Sequence, residues 1–309
     1  MKLSRLLFGT ACALLLAVPA IAGGVRPVVV ELFTSQGCSS CPPADALLGR
    51  LSQRHGVLAM SLPIDYWDML GWKDTLAIAA NTHRQKAYAA AMGHGGVYTP
   101  QIIVDGLNDV VGSREGDVEA AIARRMAELE AARAHMDAHL AAAVGAREAA
   151  LAEARATTDA ERAHLIEARD ELAAARSEVS RQAHASTPAG RQSVPVSVRE
   201  TADAMHIEVG SAAAKSDGPA TVWLFHLRNA VTVNVGAGEN DGRTLTYHNV
   251  VADLRSVGEW SGDVADFDLP RTSLQGLPHD AVAVVVQHGG YGRVVGATLI
   301  SHPDYEESH

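Results

Sequence analysis

From Val28 to Phe33 every position but Glu31 is apolar, and the run closes on a Gly and two cysteines, "VVVELFTSQGCSSC". A short apolar run of strand formers bounded by a turn signal predicts a buried strand. The next segment changes period. Leu47, Leu48 and Leu51 share a helical face over 42–55, with Pro42 early in the first turn, where a missing N–H costs little. Residues 57–64 predict a second strand. Residues 72–92 are Ala-rich at helical spacing (Leu76, Ala80, Ala87, Ala91) and end at Gly93. Residues 101–104 predict a third strand, the turn Asp105-Gly106 follows, and Val110-Val111 predict a fourth before a helix from Asp117.

That order, β-α-β-α-β-β-α over 27–122, is the order of a thioredoxin-like domain, and its crossovers imply a parallel strand pair. Over 120–185 the pattern is different. Ala, Arg and Glu dominate, and there is no aromatic, Pro or Lys. These residues favour helix. Gly145 and the capping-box string Thr158-Asp159-Ala160-Glu161 predict a break, and the heptad seams (Leu151, Leu165, Leu172, Val179; Ile122, Leu129, Met136) are short. A helical hairpin or weak coiled coil is expected over 123–185, through which the chain could oligomerise. Residues 186–192 predict a linker. Beyond it the period becomes two, with eight expected strands: 194–198, 205–209, 220–227, 231–235, 243–251, 264–269, 281–288 and 293–300. Gly- and Asn-containing turns separate several of them. The expectation is an antiparallel β-sandwich over 193–301, in which "AVAVVVQ" is a central strand.

Composition adds a compartment. Lys2 and Arg5 precede the apolar run 6–20, and Ala20-Ile21-Ala22 has the small-x-small pattern of a cleavage site, so 1–22 reads as a signal peptide. The run is short of the ~20 residues that span a bilayer, so no membrane anchor is expected after cleavage. Cys12 leaves with the signal, and the exported chain keeps only Cys38 and Cys41. A periplasmic or secreted location, where disulfides persist, follows. The formal charge of −10, or −12 without Lys2 and Arg5, and the lack of a basic cluster argue against nucleic acid and anionic membranes as partners.

Cys38-x-x-Cys41 stands where a strand meets a helix. A helix N-terminus favours a thiolate. Cys38 is therefore expected to be the exposed, attacking sulfur and Cys41 the resolving one, with no organic cofactor needed. Zinc would require further ligands, usually a second Cys pair; a copper(I) site with His94 and a plain structural staple remain as other readings. Thr99-Pro100, just before "QIIVDG", is expected to be a cis bond facing the cysteines. Glu31, within the first strand, is a candidate acceptor for the Cys41 proton, or a half-exposed or structurally bonded carboxyl. Tyr66 and Trp67 close the second strand where ligands of parallel sheets bind. With Thr99 they are expected to wall a substrate groove, or to form a structural loop.

The strings "VVVELFTSQGCSSCPPAD", "IDYWDMLGWKD", "VYTPQIIVDG" and "GENDGRTLTYHNVV" resemble the secreted bacterial family known as domain of unknown function 1223. The resemblance covers the chain from Val28 to about 122 and from about 194 to 300. It implies a thioredoxin-like domain, an all-β C-terminal domain and no settled activity. The segment near 123–186 is longer than the family's connection. The Ser39-Ser40 dipeptide followed by Pro42-Pro43 departs from well-characterised disulfide enzymes. The Glu-Leu-Phe lead-in resembles that of periplasmic dithiol oxidases, with one extra residue before the first Cys. The expected activity is thiol–disulfide exchange or redox sensing on protein thiols and disulfides of the envelope. The alternative is a binding module whose Cys pair is a fixed disulfide or a copper(I) ligand set.

Overall fold

The computed structural model describes residues 25–155, 163–164, 166–171, 193–201, 203–212, 218–270 and 280–301. The expected signal peptide and the linker 186–192 lie outside them, as does much of the second half of the Ala-rich segment. No helix among the described residues is long and apolar enough to cross a membrane.

The strand β1 (Val28–Thr34) is buried at all seven positions. Its side chains alternate between two cores, as strand geometry requires. Val28, Val30 and Leu32 pack with Ala44, Leu47, Leu48 and Leu51 of α1 (Pro42–Ser52) and with Val118, Ile122 and Leu129 of α3 (Glu115–Arg155). Val29 and Phe33 face the other way, onto Tyr88 of α2 (Ala79–Ala91). Parallel pairing with β2 (Val57–Pro63) and antiparallel pairing with β3 (Gln101–Val104) flank β1, and β4 (Asn108–Val111) forms the sheet edge. The element order up to α3 is the one the sequence pattern predicts.

The remaining strands are β5 (Val196–Glu200), β6 (Ala204–Val209), β7 (Ala220–Asn234), β8 (Thr244–Trp260), β9 (Ala265–Pro270), β10 (Ala281–His288) and β11 (Val294–Ser301). Four of them extend the first sheet, which runs β11-β10-β7-β8-β2-β1-β3-β4, and β5-β6-β9 form a second. The protein is thus a mixed α/β structure with one large, mostly antiparallel sheet, a smaller sheet and a long helix. The junction between the halves is parallel, at Ser61↔Val250, and Asn249 of β8 donates its side-chain amide to the Ala59 carbonyl of β2 at 2.9 Å. Phe225, Leu227, Val251 and Val285 share the core of Val29, Phe33, Met60 and Ile103. The small sheet packs Met205, Ile207 and Val209 on Val222, Leu224, Val284 and Trp260. As expected for a central strand, β10 lies between β7 and β11, with Ala281 to Gln287 buried.

Three expectations are corrected. The strands expected at 220–227 and 231–235 are one strand of 15 residues, paired throughout with the 17-residue β8. The polar Arg228-Asn229 between them lies within the ladder, which carries register shifts at Val222/Trp223 and His226/Leu227. The helix expected from Trp72 begins at Ala79. Upstream, the Asp74 carboxylate accepts the Leu76 and Gln36 backbone N–H groups, both at 2.8 Å, a local alternative to helix that short acidic side chains offer. Gly145 does not break α3, which runs 41 residues, about 60 Å at 1.5 Å per residue. A single Gly costs only about 1 kcal/mol in a helix of strong formers. The first turns of α3 are held by buried Val118, Ile122 and Leu129, and Arg125 binds Asp105 through its Nε at 2.6 Å. Farther along, Glu153 meets Arg169 of the helical stretch 166–171 at 3.2 Å.

Candidate functional site

The chain leaves β1 at Thr34, turns through Ser35–Gly37 and enters α1 at Cys41. The Cys38 N–H bonds the Ser35 carbonyl (3.1 Å), and the Cys41 N–H bonds the Cys38 carbonyl (3.2 Å). Cys38 and Cys41 form a disulfide. The helix end is less open to a thiolate than the sequence suggests. Pro42 and Pro43 carry no N–H, and the Ala44 and Asp45 N–H groups are taken by the Cys41 carbonyl. The polar group near the outer sulfur is a side chain: Ser40 Oγ lies 3.5 Å from Cys38 Sγ.

Nor is Cys38 exposed. It is 1% accessible and Cys41 0%. The cover is the tip of the β7–β8 hairpin, more than 190 residues away in sequence. Asn240, fully buried, donates its amide to the carbonyls of Gln36 (3.0 Å) and Cys38 (2.9 Å). Glu239 accepts the Ser39 N–H at 3.1 Å, and the Ser39 side chain together with that N–H lowers its carboxyl pKa. Trp72 donates its indole N–H to Gln36 Oε1 (2.8 Å) and packs under Gly236 and Gly238. Gly49 lets the hairpin come this close: a Cβ there would lie 2.7 Å from the His248 ring.

The Thr99–Pro100 bond is cis, as expected. Pro100, Leu32 and Ala44 converge on Gly112, so the loop before β3 sits against the first turn of α1. Trp67 ties that loop to the cysteine turn. Its indole N–H donates to Thr99 Oγ1 at 2.8 Å, and its Cβ and carbonyl abut Gly37. Tyr66 is half-buried beside it, and burial pushes its hydroxyl pKa up to about 12. Next to this wall, Met69 is 83% exposed on the 3-10 turn Asp68–Leu70.

Glu31 is elsewhere. On the odd face of β1 it points away from α1, into a buried cluster. Both of its oxygens bind Arg84, and Tyr88 donates to Oε1 at 2.5 Å. Gln287 accepts from Arg84 (3.0 Å) and donates to Tyr88 (2.8 Å). The rings of Tyr88, Phe225, Trp223 and Tyr291 surround the guanidinium at 5.0–5.7 Å. Burial disfavours the Arg84 charge, but Glu31 beside it more than compensates. Glu31 is therefore the anion of a closed ion pair linking β1, α2 and β10.

The carboxyl that shares a face with the cysteines is one the sequence reading passed over. Asp45 lies one turn after Cys41 in α1. It is buried, accepts a hydrogen bond from Thr34 Oγ1 (2.7 Å), and its Oδ2 has no hydrogen-bond partner. Burial pushes its pKa up to about 8; the Thr34 bond works against this and Asp74 adds to it. Burial also raises Asp74 and Tyr247, which face the same pocket of polar groups. The signal available in sequence was the spacing Cys41–Asp45, four apart at a helix start. His94, the copper ligand of the alternative reading, turns to Asp109 at 3.6 Å. Among the described residues no group of three or more His, Cys, Asp or Glu could hold a metal ion.

The family model described as "Protein of unknown function (DUF1223)" matches residues 29–181 and 164–287. The chain resembles the crystal structure of protein AGR_C_4864 from Agrobacterium tumefaciens, with 28% identity and a TM-score of 0.60 over 93% of this chain and 100% of that one. HBP35 of Porphyromonas gingivalis aligns at 13% identity and a TM-score of 0.47, over 90% of this chain and 76% of that one, too distant to inform the site. No curated protein matches this chain.

Proposed function

We propose that this chain, which belongs to the DUF1223 family, is a thiol–disulfide exchange protein or redox sensor of the bacterial envelope, built on a thioredoxin-like unit at 27–122. The observation that carries the reading is a Cys38–Cys41 disulfide closing a two-residue spacer at the start of α1, with the cis Thr99–Pro100 loop against the same helical turn. The β-α-β-α-β-β-α order and the parallel β1–β2 pair support the thioredoxin-like assignment. A disulfide closing so short a loop removes little unfolded-state entropy, which favours chemistry over stapling. In the reaction, a partner thiolate attacks Cys38 Sγ. The Cys38–Cys41 bond breaks, its electrons leave on Cys41 as a thiolate, and a mixed disulfide forms. A second partner thiol then displaces Cys38, so the partner is oxidised and this protein reduced; the reverse sequence reduces a partner disulfide.

Burial of Cys38 under Asn240 adds a condition: the hairpin tip must lift before a protein partner reaches the sulfur. The β-rich half is thus a cap as well as a scaffold, and the Trp67–Thr99 wall with exposed Met69 is the surface a partner peptide would meet. A periplasmic or secreted location fits a standing disulfide. A second reading, a fixed tie between the cysteine turn and the hairpin, is favoured by the same burial.

Insulin reduction with dithiothreitol as the electron source separates the two. Exchange activity predicts turnover above the dithiothreitol background that Cys38→Ser abolishes. A wild-type rate equal to background leaves the tie.

A further inference from the structure

We propose that Asp45 is the proton donor to the leaving Cys41 sulfur, and the acceptor of its proton in the reverse direction. The inference rests on the exchange reading above and assigns the proton that the reading leaves unplaced. Cleavage of the disulfide by an incoming thiolate delivers an electron pair to Cys41 inside a fully buried position. A thiolate there has lost the water that would stabilise its charge. It needs a proton.

The neighbours supply few sources. The Cys41 N–H is bound to the Cys38 carbonyl, and the prolines that follow have no N–H to offer. Cys41 is helical and serves as the N-cap of α1, and the Asp45 N–H bonds its carbonyl. Residues i and i+4 of a helix lie on one face, so Asp45 lies on the Cys41 face of α1, one turn further in. One oxygen of its carboxyl is fixed by Thr34 and the other is free of partners. The groups facing it from the packed elements are Thr34 of β1, Asp74 of the loop after β2, and Tyr247 of β8, whose hydroxyl also lacks a partner; the His248 ring packs one turn farther down, at Gly49. Two acids and a phenol with no lysine or arginine among them favour a protonated carboxyl at neutral pH, and burial drives Asp45 the same way, to about 8. That is close to an ordinary thiol near 8.5, the match that makes proton transfer between two groups efficient. The step balances: the partner thiolate bonds to Cys38, Cys41 takes the electron pair of the broken bond, and the Asp45 proton moves to Cys41, leaving a carboxylate.

The test is the rate of disulfide reduction by dithiothreitol, corrected for its thiolate fraction, from pH 6 to 10 in the full-length protein. The wild-type corrected rate should be constant at low pH and fall above about pH 8, as Asp45 loses its proton. Asp45→Asn should be slower by about 100-fold below that pH and flat across the range. Thr34→Val removes the one hydrogen bond to the carboxyl and should move the break to higher pH with the fold intact. An Asp45→Asn profile that keeps the wild-type rate and break, or a Thr34→Val break that stays in place, overturns the assignment. If wild type fails to turn over insulin yet its break vanishes in Asp45→Asn, the proton assignment stands and the exchange activity falls. If insulin turnover is robust and the break survives in Asp45→Asn, the reverse holds.

Discussion

Glu31 and Asp45 are both carboxyls sealed from water, one on each side of β1, and they are held in opposite ways. Glu31 meets Arg84 on both oxygens and Tyr88 on one, with Gln287 closing the ring of partners. Asp45 meets one hydroxyl and no cation. A buried charge needs a partner of opposite sign or it gives up its charge. On the α2 side the chain provides the partner, and the result is an ion pair that ties the halves together. On the α1 side it withholds one, and the result is an acid able to exchange its proton beneath a disulfide. The same residue chemistry thus serves as a joint in one place and as a reactive group in the other.

The largest expected effect breaks the comparison at Asp45. Its folded pKa, about 8, is raised above the ordinary carboxylate value of 3.8. Between those values the folded state holds more protons than the unfolded one, so this group's contribution is full below the unfolded pKa and is lost as pH rises through the folded pKa. The loss is on the order of 5 kcal/mol. Asp45→Asn should match wild type in urea unfolding at acid pH and exceed it increasingly up to pH 8. A constant difference across pH would remove the raised pKa.

Arg84→Met tests the other side. It leaves Glu31 buried without its cation and should cost about 3–5 kcal/mol at neutral pH. Adding Glu31→Gln should recover part of that loss, since the two sites are coupled. Purely additive losses would mean that the pair is not held as a unit.

A third prediction bears on how far the scaffold extends along α3. Removing 132–185 with a short flexible bridge should leave the cooperative melt intact. Removing 124–185 also deletes buried Leu129 and Arg125, the Asp105 partner, and should cost at least about 3 kcal/mol. Equal melts for the two deletions would contradict the packing of the first turns of α3.

The smallest effect concerns the cap. Asn240→Ala removes two hydrogen bonds of roughly 0.5–1.5 kcal/mol each, so alkylation of Cys38 after mild reduction should speed up by about 10-fold. An unchanged rate would mean that the tip does not control access.

Local features of this architecture were legible in the sequence, and distant pairings were not. The apolar run 28–33, the prolines opening α1, the Asp105-Gly106 turn and the buried run 281–287 each carry their own signal, and Thr99-Pro100 stands just before its strand as expected. Glu31 was visible as a polar residue in an apolar strand, but its cation lies 53 residues away. Nothing in the local pattern distinguishes an acid that will find an arginine from one that will not. Cys38 is predicted exposed from its place before a helix; its cover comes from a hairpin tip 202 residues on. The loop 72–78 has helical spacing, yet Asp74 spends its carboxylate on the Gln36 and Leu76 N–H groups, a choice set by the neighbouring turn. Asp45 shows the subtler case. Its spacing from Cys41 was readable, but its missing cation is a property of three separate segments meeting.

The central claim, that Cys38–Cys41 is a working redox pair above a proton-labile floor, is tested most directly by its midpoint potential in glutathione or dithiothreitol buffers. Reduced protein would be quantified by thiol trapping at each equilibrium. A working redox pair should have a midpoint of roughly −120 to −270 mV, the span of known exchange proteins. A midpoint below about −300 mV, where structural disulfides lie, would contradict it.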